Sequence, residues 1–362
     1  MQGTMQFSVE RATPASRIGL PLAIGFLVVA ATLPWWGDSN WMREFNQIAC
    51  YFIFASMWNL LAGYGGMVSI GQQAYLGFGG YMLVVLANMA GINPFAAVPI
   101  AAFLTALIAL PVSRVAFRLH GGYFAIGTWV IAEVFRLSFS NLSAVGGGSG
   151  TSLTAVQEFS KATRESFTYW MTLAGAAGTI GLTYWYLRSK QGLALLAIRD
   201  TETASESQGV NVAATKLGVY IAASFGAGLA GALYFLGTLR ISPDAAFSVN
   251  WTAFSIFMVM IGGLGTIEGP IIGAVIFWAL NKFLSDYGTW YLVGLGGLAI
   301  LMTLLLRKGL WGLIRDRSDM RFFPVERRLV ENSERGPRVT AGIAPGDNDL
   351  SVLGVGERKE QL

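Results

Sequence analysis

The sequence predicts an all-α polytopic membrane protein with about ten transmembrane helices, some of them broken or re-entrant at glycine-rich segments. Three observations predict this fold. Of the 362 residues, 54% are hydrophobic and only 13% are charged, so a water-soluble fold would have too little polar surface to cover itself. Apolar stretches of nearly membrane-spanning length recur along the chain. The 45 glycines suit membrane helices that approach one another closely.

The apolar stretches divide the membrane region into its predicted spans. They cover residues 18–34, 45–61, 78–90, 95–115, 123–139, 167–187, 217–239, 251–264, 270–284 and 290–306. The third, eighth and ninth are shorter than the roughly 20 residues that a straight span needs, and each adjoins a glycine-rich segment. We therefore expect broken or re-entrant helices at these places.

The positions of lysine and arginine predict the orientation. With an even number of spans, the basic clusters at the ends of the apolar stretches all fall on one side, which the positive-inside rule makes cytoplasmic. These residues are Arg11, Arg17, Arg114, Arg118, Arg188, Lys190, Arg199, Lys216, Arg307 and Lys308. Both termini are then cytoplasmic, and the protein is expected in the bacterial inner membrane.

The chain has three predicted regions. Residues 1–17 form a cytoplasmic N-terminal segment, residues 18–314 form the membrane domain, and residues 315–362 form a tail that we expect to be disordered because charged residues, Pro and Gly dominate it. The first apolar stretch ends in Pro34, Trp35 and Trp36 rather than in a small-residue cleavage site. We expect it to be retained as an anchor.

Several classes of chemistry are excluded. One cysteine, Cys50, cannot form an intrachain disulfide, and one histidine, His120, leaves no cluster of metal ligands. The basic residues lie at the ends of apolar stretches and not along one face, which indicates topology and not nucleic-acid binding. No nucleophile-base pair supports an intramembrane enzyme, and the chain has no phosphate-binding loop for ATP. We therefore expect no catalytic residue, metal or cofactor.

A first glycine-rich segment, residues 63–81, interrupts the membrane region between the second and third spans. Backbone that is not helical is tolerated at membrane depth only when it is buried in protein or lines a wet cavity. Ser69, Gln72 and Gln73 are therefore candidates for contacts with a substrate. The alternative is a glycine-mediated helix crossing in which these polar side chains satisfy backbone groups.

A second glycine-rich segment, residues 261–270, lies between the eighth and ninth spans and contains Glu268. Two such breaks, one in each half of the chain, are typical of transporters with a central pathway. An acid in an apolar neighbourhood is costly and is a functional candidate. The alternative is a loop position at the cytoplasmic surface.

Glu133 and Arg136 lie three residues apart in the fifth span and share one helical face. They form a mutually neutralising pair in one interpretation. In the other, Glu133 faces the pathway and attracts the ammonium group of a substrate.

The longest cytoplasmic connection, residues 192–211, predicts a short helix. Asp200 is suited to cap it, the acids Glu202 and Glu206 lie one turn apart, and Gly209 is suited to end it. A short amphipathic helix at this face suits the docking of a partner.

These motifs together carry a resemblance to a known family. Over residues 45–312, the chain resembles the permease family of branched-chain amino acid ABC importers, specifically the LivM-type subunit. The motifs, in order, are WNLLAGY (58–64), GYFAI (122–126), AEVFR (132–136), GGSG (147–150), AIRD (197–200), AGLAGALY (227–234), ISPD (241–244) and GGLG (262–265).

The resemblance implies the ABC importer permease fold and a set of partners. Residues 196–211 would be the coupling helix, with Arg199, Asp200, Glu202, Glu206 and Gly209 as its candidate coupling residues. The implied partners are a second permease subunit of similar fold, two cytosolic ATP-binding subunits that hydrolyse ATP, and a periplasmic substrate-binding protein. Family members handle branched-chain amino acids, other amino acids, urea or short amides.

The chain departs from the family pattern in two places. The coupling segment is richer in Ser and Thr than is usual and has Gln208 where an apolar residue is common, and the tail beyond Arg315 is longer than the family core requires. A self-sufficient secondary transporter or channel is the alternative function, with Glu133 and Glu268 as ion or proton sites. Transport by the isolated chain would favour that alternative.

Overall fold

The computed structural model describes residues 7–10, 14–284, 288–306, 309–318, 322–323 and 328–331. It contains two units, one made of Met1–Glu10 with Arg327–Leu362 and the other of Arg11–Glu326. Within the described residues of the first unit, β1 (Phe7–Glu10) pairs antiparallel with β4 (Arg328–Glu331), with Phe7 opposite Glu331. Residues 328–331 of the expected disordered tail thus form a strand, while residues 332–362 lie outside the described part of the chain.

The larger unit is a helical bundle. Its helices are α1 (Pro14–Ala31), α2 (Leu33–Trp36), α3 (Ser39–Asn59), α4 (Gln73–Val84), α5 (Pro94–Ala116), α6 (Gly122–Ser140), α7 (Lys161–Arg188), α8 (Lys190–Asp200), α9 (Glu202–Ser207), α10 (Val212–Thr238), α11 (Pro243–Ala246), α12 (Asn250–Gly262), α13 (Glu268–Leu284), α14 (Thr289–Leu305) and α15 (Gly309–Ser318). One short antiparallel pair, β2 (Thr151–Ser152) with β3 (Arg240–Ile241), joins two loops. The fold is therefore mostly helical, with two small sheets that the all-α prediction did not include.

Each predicted apolar stretch coincides with a helix of the larger unit. Within the described residues, three segments are long and apolar enough to cross a membrane: Pro94–Ala116, Val212–Thr238 and Pro243–Gly262. The last one comprises α11, α12 and the residues between them. The helical class is confirmed, and the count of about ten spans stays a prediction.

The helix starts follow local capping chemistry. The side chain of Asn93 accepts a hydrogen bond from the Phe95 N–H (2.9 Å) ahead of α5, with Pro94 in the first turn. Ser160 and Asn211 cap α7 and α10 in the same way. These side chains satisfy N–H groups that the helix itself leaves without partners.

Glycines let α4 and α10 pack backbone to backbone in the centre of the bundle. A Cβ added to Gly231 would lie 1.9 Å from the Leu76 carbonyl oxygen, and one added to Gly79 would lie 2.2 Å from the Gly228 carbonyl oxygen. Helix α10 also packs against α3 and α5. This close approach fixes the position of α4, which contains residues 73–81 of the first glycine-rich segment.

The outer surface of the bundle is apolar. In α5, Phe103 is 63% exposed and Leu107 is 51% exposed, and only about a third of the apolar part of this helix is buried within the fold. A surface of this kind is suited to lipid and not to water.

Candidate functional site

The two glycine-rich segments lie side by side and are held together by Asn59 at the end of α3. Its Nδ2 donates to the Thr266 carbonyl oxygen (2.8 Å), and its Oδ1 accepts from the Gly265 N–H (2.9 Å). A Cβ on Gly63 would lie 2.8 Å from the Gly265 nitrogen. Because non-helical backbone inside a bundle needs partners, this one buried amide supplies both a donor and an acceptor.

Arg199 of α8 bonds to the first segment and lies near Gly265 of the second. Its Nη1 donates to the Gly63 carbonyl oxygen (3.1 Å). A Cβ built on Gly66 would lie 3.2 Å from the Arg199 Cγ, and one built on Gly265 would lie 3.7 Å from its Nη1. Helix α8 is therefore bonded directly to the first glycine-rich segment, which Asn59 holds against the second.

The family resemblance predicts Arg199 as a coupling residue but not its bond to the first break. Asn59 is part of the motif at residues 58–64, but the sequence predicts no role for it. An asparagine near the end of an apolar helix, four residues before Gly63, is the signal that could have indicated a clamp on nearby backbone.

The candidates of the first segment are all buried, and two of them have protein partners. Ser69 Oγ accepts from the Gly71 N–H (3.2 Å), and its carbonyl oxygen accepts from Trp58 Nε1 (2.8 Å). The Oε1 of Gln73 accepts from the Thr252 hydroxyl on α12. These contacts correspond to the alternative in which the polar side chains satisfy the surrounding structure.

Gln72 differs from its neighbours. It is fully buried, and neither its Nε2 nor its Oε1 has a hydrogen-bond partner among the described residues. An unpaired buried amide is unfavourable by about 1–3 kcal/mol. Gln72 is therefore the pathway candidate whose amide is available to an additional polar group.

Helix α6 packs closely against the first segment. The Thr128 Oγ1 accepts from the Ile70 N–H (3.2 Å), and a Cβ on Gly71 would lie 1.8 Å from the Thr128 carbonyl oxygen. Only glycine fits at position 71 without moving α6.

Glu268 is buried in the first turn of α13, just before the predicted span that begins at residue 270. One carboxylate oxygen accepts from the Phe323 N–H (3.0 Å), and burial raises the pKa of this carboxyl above its usual range. The alternative of an exposed loop position is not found, because Glu268 belongs to a helix and its side chain is buried.

Glu133 and Arg136 form a pair on α6, as the first of the two interpretations has it. The Arg136 Nε donates to both carboxylate oxygens of Glu133 (2.9 and 3.0 Å), and its Nη1 pairs with Asp244 of α11 (2.6 Å). Asp244 was not predicted as a member of this cluster. In this structure the carboxylate of Glu133 is already neutralised.

The predicted coupling segment contains two helices and not one. Thr201, with extended backbone, separates α8 from α9. Asp200 ends α8 and pairs with Arg199 (3.2 Å), so the expectation that it caps a helix is wrong. Gly209 has φ +83° just after α9, which is the left-handed conformation expected of a helix-ending glycine.

The two acids of this segment have different surroundings. Glu202 pairs with Lys216 of α10 (2.6 Å), which fixes α9 to the bundle. Glu206 is exposed and forms no ion pair among the described residues. No group of three acids, cysteines or histidines that could hold a metal occurs in the described part of the chain.

Comparison with known proteins places the chain in a family. A family model described as "Branched-chain amino acid transport system / permease component" matches residues 42–306. The chain is 25% identical over 81% of its length to the high-affinity branched-chain amino acid transport system permease protein LivM of Salmonella typhimurium and to that of Escherichia coli, covering 75% of each. A probable LivM of Methanocaldococcus jannaschii is 24% identical over 68% of this chain and 82% of its own length. No solved structure matches the chain.

Proposed function

The chain belongs to the permease family of branched-chain amino acid transport systems, and we propose that it is the membrane-spanning permease subunit of a binding-protein-dependent ABC importer. Its relatives are transport permeases and not enzymes. The proposed substrates are branched-chain or related amino acids. The observation that carries the proposal is the bond of Arg199 to the first glycine-rich segment, which Asn59 holds against the second, because it joins a predicted cytosolic docking helix to the predicted pathway.

The proposed topology has about ten spans in the bacterial inner membrane, with both termini cytoplasmic. Helices at all the predicted apolar stretches and the apolar outer surface of α5 support it. The glycine-rich segments would then be the breaks where polar groups meet the substrate.

The proposed pathway runs along these two segments. Gln72 is its foremost polar contact, because its amide has no partner among the described residues. Ser69, Gln73 and Glu268 support the shape of the segments through their hydrogen bonds. Glu133 would act only after release from Arg136.

The proposed mechanism is alternating access. Helices α8 and α9 dock on one of two ATP-binding subunits, through Glu206 and the end of the segment at Gly209. ATP binding moves the docked helices, and Arg199, paired with Asp200, passes the movement to the two breaks. A second permease subunit completes the pathway, and a periplasmic binding protein delivers the substrate.

Reconstitution in proteoliposomes tests this proposal. We expect uptake of labelled L-leucine only when the chain is assembled with its second permease, the ATP-binding subunits, the binding protein and ATP. Deletion of residues 200–209 should abolish uptake and leave membrane insertion intact. Uptake by the isolated chain without ATP would contradict the proposal and favour a secondary transporter or channel.

A further inference from the structure

A second polar cavity lies outside the site described above. It has a volume of about 300 Å³ and is formed by the starts of α3 and α7 and the end of α10. Its charged lining residues are Arg43, Lys161, Arg164 and Glu165. This volume is at the lower end of the range for pockets that bind small molecules, about 300–1,000 Å³.

The three cations of this cavity form no ion pair with a carboxylate among the described residues, and Arg43 bonds only to the amide of Asn40. Two other cations predicted on the same side are paired, Lys282 with Glu44 (2.7 Å) and Arg136 with Asp244 (2.6 Å), whereas Arg240 bonds to the Ser149 carbonyl oxygen. The cavity thus holds an excess of positive charge without a protein partner.

Two general rules disfavour cations at these positions. In the proposed topology, the starts of α3 and α7 lie on the periplasmic side, where lysine and arginine are depleted. Lys161 and Arg164 also occupy the first turn of α7, which contains no acid and where the helix dipole favours negative charge. A bound anion would compensate for both.

The interior of the cavity contains a polar group without a partner. Thr168 is 5% exposed, lines the cavity, and its Oγ1 has no hydrogen-bond partner among the described residues. Asn46, also buried and lining the cavity, is held by the Thr172 hydroxyl. Fixed polar groups of this kind orient a small ligand in a concave site.

The cavity also contains groups that attract a cation. Glu165 forms no ion pair among the described residues, and the C-terminal end of α10 at Leu236–Leu239 carries partial negative charge. We propose that this cavity binds a small zwitterion, an α-amino acid, with its carboxylate at Arg43, Lys161 and Arg164 and its ammonium group at Glu165. This inference rests on the proposed function for its choice of substrate class.

The surroundings fit a position where a solute leaves water. Trp35, Trp36 and Trp41 flank this end of the bundle and are 66–73% exposed, as is typical of tryptophans at a membrane boundary. The concave shape and the buried Thr168 favour a small solute over the flat contact that a docked protein makes.

Equilibrium binding to the full chain in lipid nanodiscs tests the inference. The probes are L-leucine, 4-methylpentanoate, which lacks the ammonium group, and 3-methylbutylamine, which lacks the carboxylate. Arg164→Gln should weaken binding of leucine and 4-methylpentanoate about tenfold or more. Glu165→Gln should weaken the binding of leucine and leave the binding of 4-methylpentanoate unchanged. Thr168→Val should weaken the binding of leucine a few-fold.

The controls are Arg164→Lys, which keeps the charge and should retain most of the leucine binding, and Lys282→Gln, whose pair with Glu44 lies outside the cavity and which should change nothing. A cooperative thermal unfolding transition serves to check that each variant is folded. The inference is overturned if wild type shows no saturable leucine binding up to about 50 mM, or if Arg164→Gln binds leucine like wild type. It is also overturned if Arg164→Gln abolishes capture of the binding protein while leucine binding stays unchanged.

These outcomes are separable from the proposed function. ATP-dependent uptake by the assembled wild-type transporter would uphold that function even where the cavity binds no leucine. Leucine binding at the cavity, combined with uptake that needs no ATP, would contradict the proposed ABC importer function and still support the proposed binding site.

Discussion

At the scale of single residues, the adjacent glutamines Gln72 and Gln73 have opposite surroundings. Gln73 bonds to Thr252, whereas the Gln72 amide has no partner among the described residues. Replacing Gln72 with leucine removes an unpaired amide at similar volume, so we expect Gln72→Leu to fold with equal or slightly higher stability but to lose most of its leucine uptake. Thermal unfolding in detergent and ATP-dependent uptake measure the two effects.

Gln73→Leu is the matched control. It leaves the Thr252 hydroxyl unpaired inside the bundle and should lower the free energy of unfolding by about 1–2 kcal/mol. If Gln72→Leu transports normally, Gln72 has no role in the pathway. If it destabilises the fold as much as Gln73→Leu does, its amide has a structural partner.

At the scale of helices, Arg199 joins α8 to the first glycine-rich segment, and Asn59 joins that segment to the second. We expect Arg199→Ala to reduce uptake at least about tenfold while the assembled complex continues to hydrolyse ATP, because the bond to Gly63 that carries the movement is lost. The ratio of ATP hydrolysed to leucine transported measures this uncoupling. Arg188→Ala, which removes an arginine that among the described residues bonds only to Tyr184 of its own helix, should leave the ratio unchanged. An unchanged ratio in Arg199→Ala would show that coupling takes another route.

Contacts between α4 and α10 give a second prediction at this scale. Gly231→Ala forces a methyl group to within 1.9 Å of the Leu76 carbonyl oxygen, so the backbone of α4 or α10 must shift. We expect a loss of stability of about 2 kcal/mol or more, seen as a lower unfolding temperature. Gly178→Ala on α7, where a Cβ meets nothing within 4 Å, should be neutral or slightly stabilising. Equal unfolding temperatures for the two variants would contradict the close packing of α4 on α10.

At the scale of the whole molecule, the helical class followed from composition and from the length of the apolar stretches, because lipid permits few other structures. The end of α9 was also predictable, because a glycine such as Gly209 readily adopts the left-handed backbone conformation that ends a helix. The meeting of the two breaks at Asn59 was not, since it depends on contacts between residues about 206 apart. The same limit applies to Asp244, which joins Arg136 across 108 residues.

The topology of the whole molecule is open to a direct test, because the one cysteine, Cys50, is 1% exposed and should be silent toward a polar maleimide. Exposed serines on opposite sides of the proposed membrane are then replaced singly: Ser143→Cys lies after α6 and Ser207→Cys ends α9. With about ten spans and cytoplasmic termini, an impermeant maleimide should label Ser143→Cys in intact spheroplasts and Ser207→Cys only after the membrane is opened. Labelling of Ser207→Cys from outside would show that α8 and α9 lie on the periplasmic side. They could then not dock on the cytosolic ATP-binding subunits, and Arg199 could not transmit a movement from those subunits.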